Sequence, residues 1–187
     1  MTEVCKKGEN EVNEHDNRQS RAGIVRVQKH LAAWDRDDYL YHETPTRYLL
    51  IDPMLTGLGW DLHNMDECSM EWPMPKGQSR TRVDYALGNS EGAVVAVIEA
   101  KSLNVAVKNR PAGLENQLAH YIKGMRFGVA VLTNGAIWHI YKLDSSRRSL
   151  KNKHVAKVDI REGSADNAKS GRISHRWLNK PKLWRTR

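Results

Sequence analysis

Two acidic residues and a lysine lie at the ends of neighbouring apolar segments, with a spacing that could hold a metal ion. Asp84 lies within RVDYALG, and Glu99 and Lys101 follow the valine-rich run at 93–98. The turn-like sequence NSEG separates the two segments, so the pattern predicts a β-hairpin. Because strand side chains alternate between faces, Glu99 and Lys101 share one face of this hairpin.

The register of the hairpin decides whether Asp84 joins that face. A four-residue loop at 89–92 would place Asp84 opposite Val97. Asp84 would then lie diagonal to Glu99 and on the same face, at one edge of the sheet. A loop one residue longer or shorter would reverse the parity, so the prediction depends on the loop length.

Two interpretations fit these three charges, and the spacing alone does not separate them. In the plainer one, Lys101 forms an ion pair with Glu99 or Asp84 at an exposed strand end, which is the commoner use of such residues. In the other, the carboxylates bind Mg²⁺, a hard ion that takes one or two carboxylates and completes its shell with water and phosphate. Lys101 would then ease formation of hydroxide and stabilise a pentavalent phosphate.

Length and composition are those of a globular protein. The chain has 187 residues, 40% apolar and 28% charged, which is enough for one domain with its own core. No apolar run is long enough to span a bilayer, and we expect no signal peptide in the polar first residues. Cys5 and Cys68 belong to no paired motif, so we expect a cytoplasmic protein without structural zinc or disulfide.

The net charge of +8 is concentrated at the C-terminal end. Residues 145–187 hold 13 Lys and Arg against 3 Asp and Glu, whereas residues 1–144 hold 17 against 19. A near-neutral body with a basic extension favours a polyanionic partner such as DNA or RNA. A solvated basic tail explains the same charge equally well.

The N-terminal part predicts a tail and two helices. Residues 1–19 are polar and predict a disordered tail, and the apolar spacing at 20–35 predicts an amphipathic helix. Thr44 can cap a second helix, and Pro45 suits its first position. Pro53 lies inside this helix, so we expect a kink there.

The segments after the second helix alternate between strand and helix patterns. A strand at 70–74 precedes the hairpin, and a helix at 113–125 follows it. Two further strands at 127–133 and 136–143 are joined by Asn134-Gly135, a strong hairpin signal. Residues 154–160 give a weaker indication of an edge strand. The order predicts a mixed α/β domain with one crossover helix.

The succession of short motifs across residues 43–143 resembles a known family. In chain order the motifs are Glu43-x3-Arg47, LLIDPML, LGWD, RVDYAL, VIEAKSL, QLAHY and VLTNGAIWHIY. This succession is similar to the N-terminal nuclease domain of type I restriction enzyme R subunits and its stand-alone relatives, within the PD-(D/E)xK nuclease superfamily. The resemblance implies a restriction-endonuclease-like fold, with a mixed sheet of four to five strands flanked by helices. We expect this domain at 20–143, followed by a basic C-terminal extension at 144–187.

The resemblance implies metal ligands at the hairpin. Asp84 and Glu99, with the carbonyl of Ala100, match the residues that hold one or two Mg²⁺ ions, with Mn²⁺ as a substitute. Lys101 matches the lysine of the ExK half-motif, which orients a metal-bound water for attack on the phosphodiester. Val83 stands where the superfamily has its proline, a departure that is common in this branch.

Three further residues match catalytic positions of the family. Gln117 and Tyr121 match a QxxxY helix motif that contacts the active site and DNA. Without the resemblance they are a surface amide beside a packed tyrosine, four residues apart on one helix. Glu43 matches an acid that helps to hold metal-bound water. A carboxylate at a helix entrance is also favoured by the helix dipole, which is its simpler explanation.

The implied activity is a Mg²⁺-dependent DNA endonuclease or exonuclease that leaves a 5′-phosphate, with the endonuclease favoured. Its expected partner is DNA, with basic residues against the phosphates: Arg80, Arg82, Lys180, Lys182 and Arg185. Cutting both strands at once needs two active sites, which a homodimer would supply, and restriction–modification subunits are a further candidate partner. The alternative is a catalytically silent module of the same fold that binds nucleic acid or regulates a partner.

Overall fold

The computed structural model describes residues 3–33, 42–73, 82–107, 112–121, 128–143, 150, 153–161 and 176–180. Side chains are described from Arg18 onwards in the first helix and from Gly113 to Ala119 in the last long one. Within these residues no helix is both long and apolar enough to cross a membrane.

A six-stranded sheet forms the centre of the protein, and its strands are arranged in chain order. They are β1 (Cys68–Pro73), β2 (Arg82–Gly88), β3 (Val94–Ala100), β4 (Gly128–Thr133), β5 (Ile137–Leu143) and β6 (His154–Asp159). Only β3 and β4 are parallel, because the helix between them, α4 (Ala112–Tyr121), carries the chain across the sheet. The predicted mixed sheet with flanking helices is confirmed. The count of four to five strands is wrong, because β6 adds a sixth strand beside β5.

Helices cover both faces of the sheet. On one face lie α1 (Glu3–Ala33), α2 (Glu43–Thr46), a π-helical turn (Arg47–Ile51) and α3 (Asp52–Gly57). On the other face lies α4, where Leu118 packs in one cluster with Val97 and Leu132. Because β3 is buried on both faces, its sequence is apolar at successive positions instead of alternating.

The first helix is longer than predicted, because it begins at Glu3 and not at residue 20. It therefore includes most of the segment predicted to be a disordered tail. The apolar face begins only with the part that packs on the sheet, where Ile24 and Val27 are fully buried. The upstream residues include Glu, Lys and Gln, which favour helix without burial, so apolar periodicity could not detect them.

The second helix begins earlier than predicted, and it is irregular just before Pro53, where a kink was predicted. It begins at Glu43, so Thr44 lies inside the first turn, and His42 occupies the cap without a side-chain hydrogen bond. The π-helical turn comes directly before α3, whose second residue is Pro53. Proline has no N–H to donate, so the regular hydrogen-bond ladder cannot continue through it.

The hairpin of β2 and β3 keeps the predicted parity by a different route. The loop has five residues, 89–93, and Gly88 pairs with Val94. An irregularity between Leu87 and Gly88 adds a second offset, so that Val97 lies opposite Ala86 instead of Asp84. The register is thus shifted by two residues, and a shift of two returns every side chain to its predicted face.

The folded core continues beyond the domain boundary predicted at residue 143. Besides β6, a short segment at 176–180 packs on the loop that follows α3. The indole N–H of Trp60 donates to the Leu178 carbonyl at 2.8 Å, and Leu178 is fully buried. The backbone N–H of Lys180 donates to the Leu58 carbonyl at 3.0 Å. Part of the predicted basic extension therefore belongs to the same core.

Candidate active site

Two buried carboxylates meet where β2 and β3 run side by side. Tyr85 pairs with Ile98 in this antiparallel pair, so one position further along Asp84 lies opposite Glu99. Asp84 is 9% exposed and Glu99 is 4% exposed. The backbone N–H of Ala100 donates to Oδ2 of Asp84 at 2.6 Å, which fixes the Asp84 side chain against β3.

Lys101 and Gln117 both contact the same oxygen of Glu99. The ammonium of Lys101 pairs with Oε1, and Nε2 of Gln117 donates to Oε1 at 2.9 Å. Gln117 comes from α4, which crosses this face of the sheet between β3 and β4. The structure therefore brings four of the predicted residues together: Asp84, Glu99, Lys101 and Gln117.

The loop after β3 is fixed by polar groups that the sequence does not connect. The backbone N–H of Lys101 donates to the Thr133 carbonyl at 2.8 Å. The side-chain amide of Asn134 donates to the carbonyls of Leu103 and Val105 at 3.1 and 3.0 Å. Asn134, which was predicted only as a turn residue, thus anchors the segment that carries Lys101.

Arg47, in the π-helical turn, also contacts Asp84, and this role was not predicted. Its Nη1 lies 3.4 Å from Oδ1 of Asp84, and its Nη2 donates to the Asp84 carbonyl at 3.3 Å. The guanidinium also lies over the ring of Tyr85, 4.8 Å from its centre. Glu71, on the exposed edge strand β1, accepts a 2.6 Å hydrogen bond from the same Nη1. Arg47 is four residues after Glu43 on one helical stretch, and this spacing is the signal that could have identified it.

The carboxylate of Asp52 also contacts Tyr85. The Tyr85 hydroxyl donates to Oδ1 of Asp52 at 2.7 Å and accepts from Nε of Arg47 at 3.3 Å. Burial raises the pKa of Tyr85 well above its usual value, and Asp52 adds to the increase. The hydroxyl therefore stays protonated and continues to link Arg47 to Asp52.

Burial makes both site carboxylates resist ionisation. It raises the pKa of Glu99 to about 7, although Lys101 acts in the opposite direction. Burial also raises the pKa of Asp84, against the Ala100 N–H and Arg47. For Lys101, burial lowers the pKa but the neighbouring Glu99 more than offsets it, so the net shift is upward. The pairing with Glu99 therefore favours the ammonium form of Lys101.

Glu43 acts on the site through its charge. It raises the pKa of Asp84, Glu99 and Lys101, as a third negative charge nearby must do. Its side chain is exposed at the start of α2 and makes no hydrogen bond to these groups within the part of the chain that the structure describes.

The other predicted residues are only partly described. Tyr121 is the last residue of α4, and its side chain lies outside the described residues, as do Arg80, Lys182 and Arg185. Arg82 is exposed at the start of β2 and donates to the Glu71 carbonyl at 3.0 Å. Lys180 pairs with the buried Glu67 at 2.7 Å, so its charge is engaged within the fold.

The donors at the site fit Mg²⁺ better than a softer metal. No group of three or more His, Cys, Asp or Glu side chains converges among the described residues, which is what a closed zinc site would need. Mg²⁺ binds through one or two carboxylates and retains water and phosphate, and Asp84 and Glu99 supply those two. Both hydrogen bonds to Glu99 go to Oε1, and the contact to Oδ1 of Asp84 is long. One oxygen of each carboxylate therefore lacks a short hydrogen bond within the described part of the chain.

Comparison with known proteins finds a likeness in fold. No family model and no curated protein matches the sequence. Among solved structures, the chain is similar to the DrdV protein in a cryo-electron-microscopy DrdV–DNA complex, with a TM-score of 0.56 and 14% identity. The match covers 87% of this chain and 14% of the DrdV chain, so this chain spans a small part of that protein. At this identity the similarity establishes a shared fold.

Proposed function

We propose that this chain is a Mg²⁺-dependent deoxyribonuclease that hydrolyses phosphodiester bonds in DNA. The observation that carries the proposal is the meeting of Asp84, Glu99 and Lys101 at adjacent strand ends. Burial raises the pKa of both carboxylates, so a divalent cation bound between them would stabilise their charged forms. Such strongly perturbed groups cluster at functional sites more often than elsewhere.

The side chains have separable roles in this reaction. Asp84 and Glu99 would hold the cation, with the Ala100 carbonyl as a third oxygen. Mg²⁺ would supply Lewis-acid stabilisation of the negative charge that develops on the phosphate. Lys101 keeps its proton and would stabilise the same charge from the side of Glu99. Gln117 holds the orientation of Glu99 by its 2.9 Å hydrogen bond.

DNA is the substrate that the surrounding features favour. The chain carries a net charge of +8, with its basic residues concentrated after residue 144. The structural neighbour is itself a DrdV–DNA complex. Its fold, and the resemblance of the motifs to type I restriction nuclease domains, both agree with a DNA-acting protein. Endonucleolytic cleavage, a restriction–modification context and a homodimer are part of the proposal.

A plasmid-nicking assay tests this function directly. Purified protein is incubated with supercoiled plasmid in Mg²⁺, in Mn²⁺ and in excess EDTA. We expect nicked product only with the divalent cations, with ends that DNA ligase can reseal because they carry a 5′-phosphate. Nicking that persists in EDTA, or the absence of any nicking in Mg²⁺ and Mn²⁺, would contradict the proposal.

A second candidate function has its own support. Each charge at the site already has a partner, Lys101 for Glu99 and Arg47 for Asp84. Such pairing would also suit a catalytically silent module that only binds nucleic acid. That module predicts DNA binding that is unchanged by EDTA in a gel-shift assay, together with no nicking.

A further inference from the structure

One guanidinium nitrogen of Arg47 is shared by two carboxylates. Nη1 lies 2.6 Å from Oε1 of Glu71 and 3.4 Å from Oδ1 of Asp84. A separation of 2.6 Å is typical of a strong charge-assisted hydrogen bond, whereas 3.4 Å is at the weak limit. Nη1 of Arg47 therefore lies closer to Glu71 and makes only a weak contact with the Asp84 side chain.

The planar guanidinium of Arg47 moves as one unit, so its other contacts limit any shift to a small one. Its Nη2 donates to the Asp84 carbonyl, its Nε donates to Tyr85, and its guanidinium covers the Tyr85 ring. Burial lowers the pKa of Arg47, but Tyr85 and Glu71 more than compensate and raise it above its usual value. The charge therefore stays on Arg47 whichever carboxylate it contacts.

The backbone of Glu71 shows that its position is specifically built. Met70 pairs with Tyr85 and Trp72 with Val83, so Glu71 lies directly across from Asp84. Its φ of 50° is the one positive value for a non-glycine residue in the described part of the chain. A left-handed conformation at such a residue is strained, and strain of this kind gathers at functional sites. The Glu71 side chain is 53% exposed, so burial does not force it to form an ion pair.

We infer that Arg47 is a movable counter-ion of the metal site and that Glu71 is its alternative partner. In the cation-free protein Arg47 offsets the charge of Asp84. When a divalent cation binds at Asp84, the guanidinium gives up its 3.4 Å contact with Oδ1 and keeps Glu71 as its carboxylate partner, which leaves Oδ1 to the cation. This inference rests on the proposed function, because it assumes that Asp84 is a cation ligand.

The inference predicts opposite effects for two neighbouring substitutions. Arg47→Met removes a competing positive charge, so cation affinity should rise by about fivefold or more. Glu71→Gln removes the alternative partner and returns Arg47 to Asp84, so cation affinity should fall by a similar factor, about fivefold. A purely structural role for Arg47 predicts that its removal weakens cation binding.

The measurement is Mn²⁺ binding followed by electron paramagnetic resonance, on the intact protein without DNA. Arg161→Met is the matched control, because Arg161 also pairs with a buried aspartate, Asp159 at 3.1 Å, but on β6. It should leave the Mn²⁺ affinity unchanged. Circular dichroism establishes that each variant is folded, and Glu71 is exposed enough for its variant to keep the test available if Arg47→Met fails to fold.

A double-substitution cycle separates a partner effect from a simple loss of charge. In the Arg47→Met background, Glu71→Gln should change the Mn²⁺ affinity little, because no guanidinium remains to be moved. An equal loss of affinity in both backgrounds would show that Glu71 acts only through its own charge and would overturn the inference.

The outcomes also distinguish this inference from the proposed function. If Mn²⁺ binds the wild type and Asp84→Asn abolishes that binding, the cation site stands. A finding that Arg47→Met binds Mn²⁺ no more tightly than the wild type would then overturn the counter-ion role alone. If the wild type binds no Mn²⁺ and nicks no plasmid, the inference and the proposed function both fail.

Discussion

Among the residues that the structure describes, four carboxylates are buried, and two of them, Asp84 and Glu99, form a first region together. At the ends of β2 and β3, Asp84 and Glu99 are neighbours, with Arg47 and Lys101 as their cations. Burial raises the pKa of both carboxylates in spite of these cations. This region holds negative charge that its own partners do not fully stabilise.

The second region consists of two separate ion pairs, because Glu67 lies just before β1 and Asp159 ends β6. Glu67 receives Lys180 at 2.7 Å together with an N–H from Asp61 at 3.1 Å. Asp159 receives both the side chain and the backbone N–H of Arg161, at 3.1 and 3.2 Å. These pairs hold the C-terminal segment and the end of β6 in place.

The comparison shows that a buried ion pair is not in itself a sign of catalysis. Burying a charge is costly, and a matched partner with additional hydrogen bonds makes it tolerable in any part of a fold. What sets the first region apart is the convergence of two acids from adjacent strands. A divalent cation would relieve that convergence, whereas the second region has no use for one.

The largest effect that separates the two regions should be on DNA cleavage. Asp84→Asn removes a cation ligand, and we expect plasmid nicking in Mg²⁺ to fall by at least about a thousandfold. Asp159→Asn is the matched control, since Asp159 is 8% exposed, close to Asp84 at 9%, and also pairs with an arginine. It should nick at nearly the wild-type rate. Comparable losses in the two variants would show that the first region is not special.

The sequence predicted the site acids because their spacing is local to one hairpin. Asp84, Glu99 and Lys101 lie on two segments joined by a short loop, so strand alternation alone could place them on one face. The predicted register was still shifted by two residues. An extra loop residue and an irregularity at Gly88 cancelled in parity, and neither is visible as a pattern. A carbon added at Gly88 would lie 2.5 Å from the Asp66 carbonyl oxygen, a contact set by tertiary packing.

Arg47 and Glu71 could not be found in the same way. Arg47 is 37 residues from Asp84, and the two meet only because the helices cross the sheet at that edge. Glu71 takes its place from an unusual backbone angle in β1, which no residue preference predicts. The sixth strand had a weak apolar pattern of its own, and its pairing with β5 made it part of the sheet.

Asn134 provides the next test, because its uncharged side chain anchors the loop that follows β3 in the first region. The buried side chain of Asn134 bonds the Leu103 and Val105 carbonyls and accepts from the Ile137 N–H at 2.9 Å. Asn134→Ala leaves these backbone groups without partners, and we expect a loss of about 3 kcal/mol in the free energy of unfolding. Urea denaturation measures it.

The control for this prediction lies in the same loop. Asn104 is exposed, and within the described residues its one hydrogen bond comes from the nearby Ser102 hydroxyl at 2.7 Å. Asn104→Ala should change the free energy of unfolding by no more than about 0.5 kcal/mol. Equal stabilities for the two variants would mean that Asn134 does not anchor the loop.

The pH dependence of stability should distinguish Glu99 from an ordinary surface acid. Its pKa is about 7 in the folded protein against 4.5 as its reference value, so between these pH values the folded state binds more protons. Stability from this group is complete below pH 4.5 and is lost as the pH rises towards 7. Glu99→Gln imitates the protonated form and escapes this loss.

In EDTA, the free energy of unfolding of Glu99→Gln should therefore rise relative to that of the wild type as the pH is raised from 5 to 8. We expect the difference in free energy of unfolding to grow by about 2 kcal/mol. Glu67→Gln, from the second region, serves as the comparison. A difference between Glu99→Gln and the wild type that stays constant with pH would contradict the raised pKa.

The smallest effect concerns Lys180, to which the sequence and the structure assign different roles. Its position in the basic segment predicted a contact with DNA phosphate, whereas the structure pairs it with Glu67. Lys180→Met should lower the free energy of unfolding by about 1 kcal/mol, because the lysine side chain is 26% exposed and solvent screens part of the attraction. If Lys180 serves only the fold, the dependence of DNA binding on salt should be the same for the folded variant and the wild type. A slope reduced by about one in log affinity against log salt would instead place Lys180 on a phosphate and restore its predicted role.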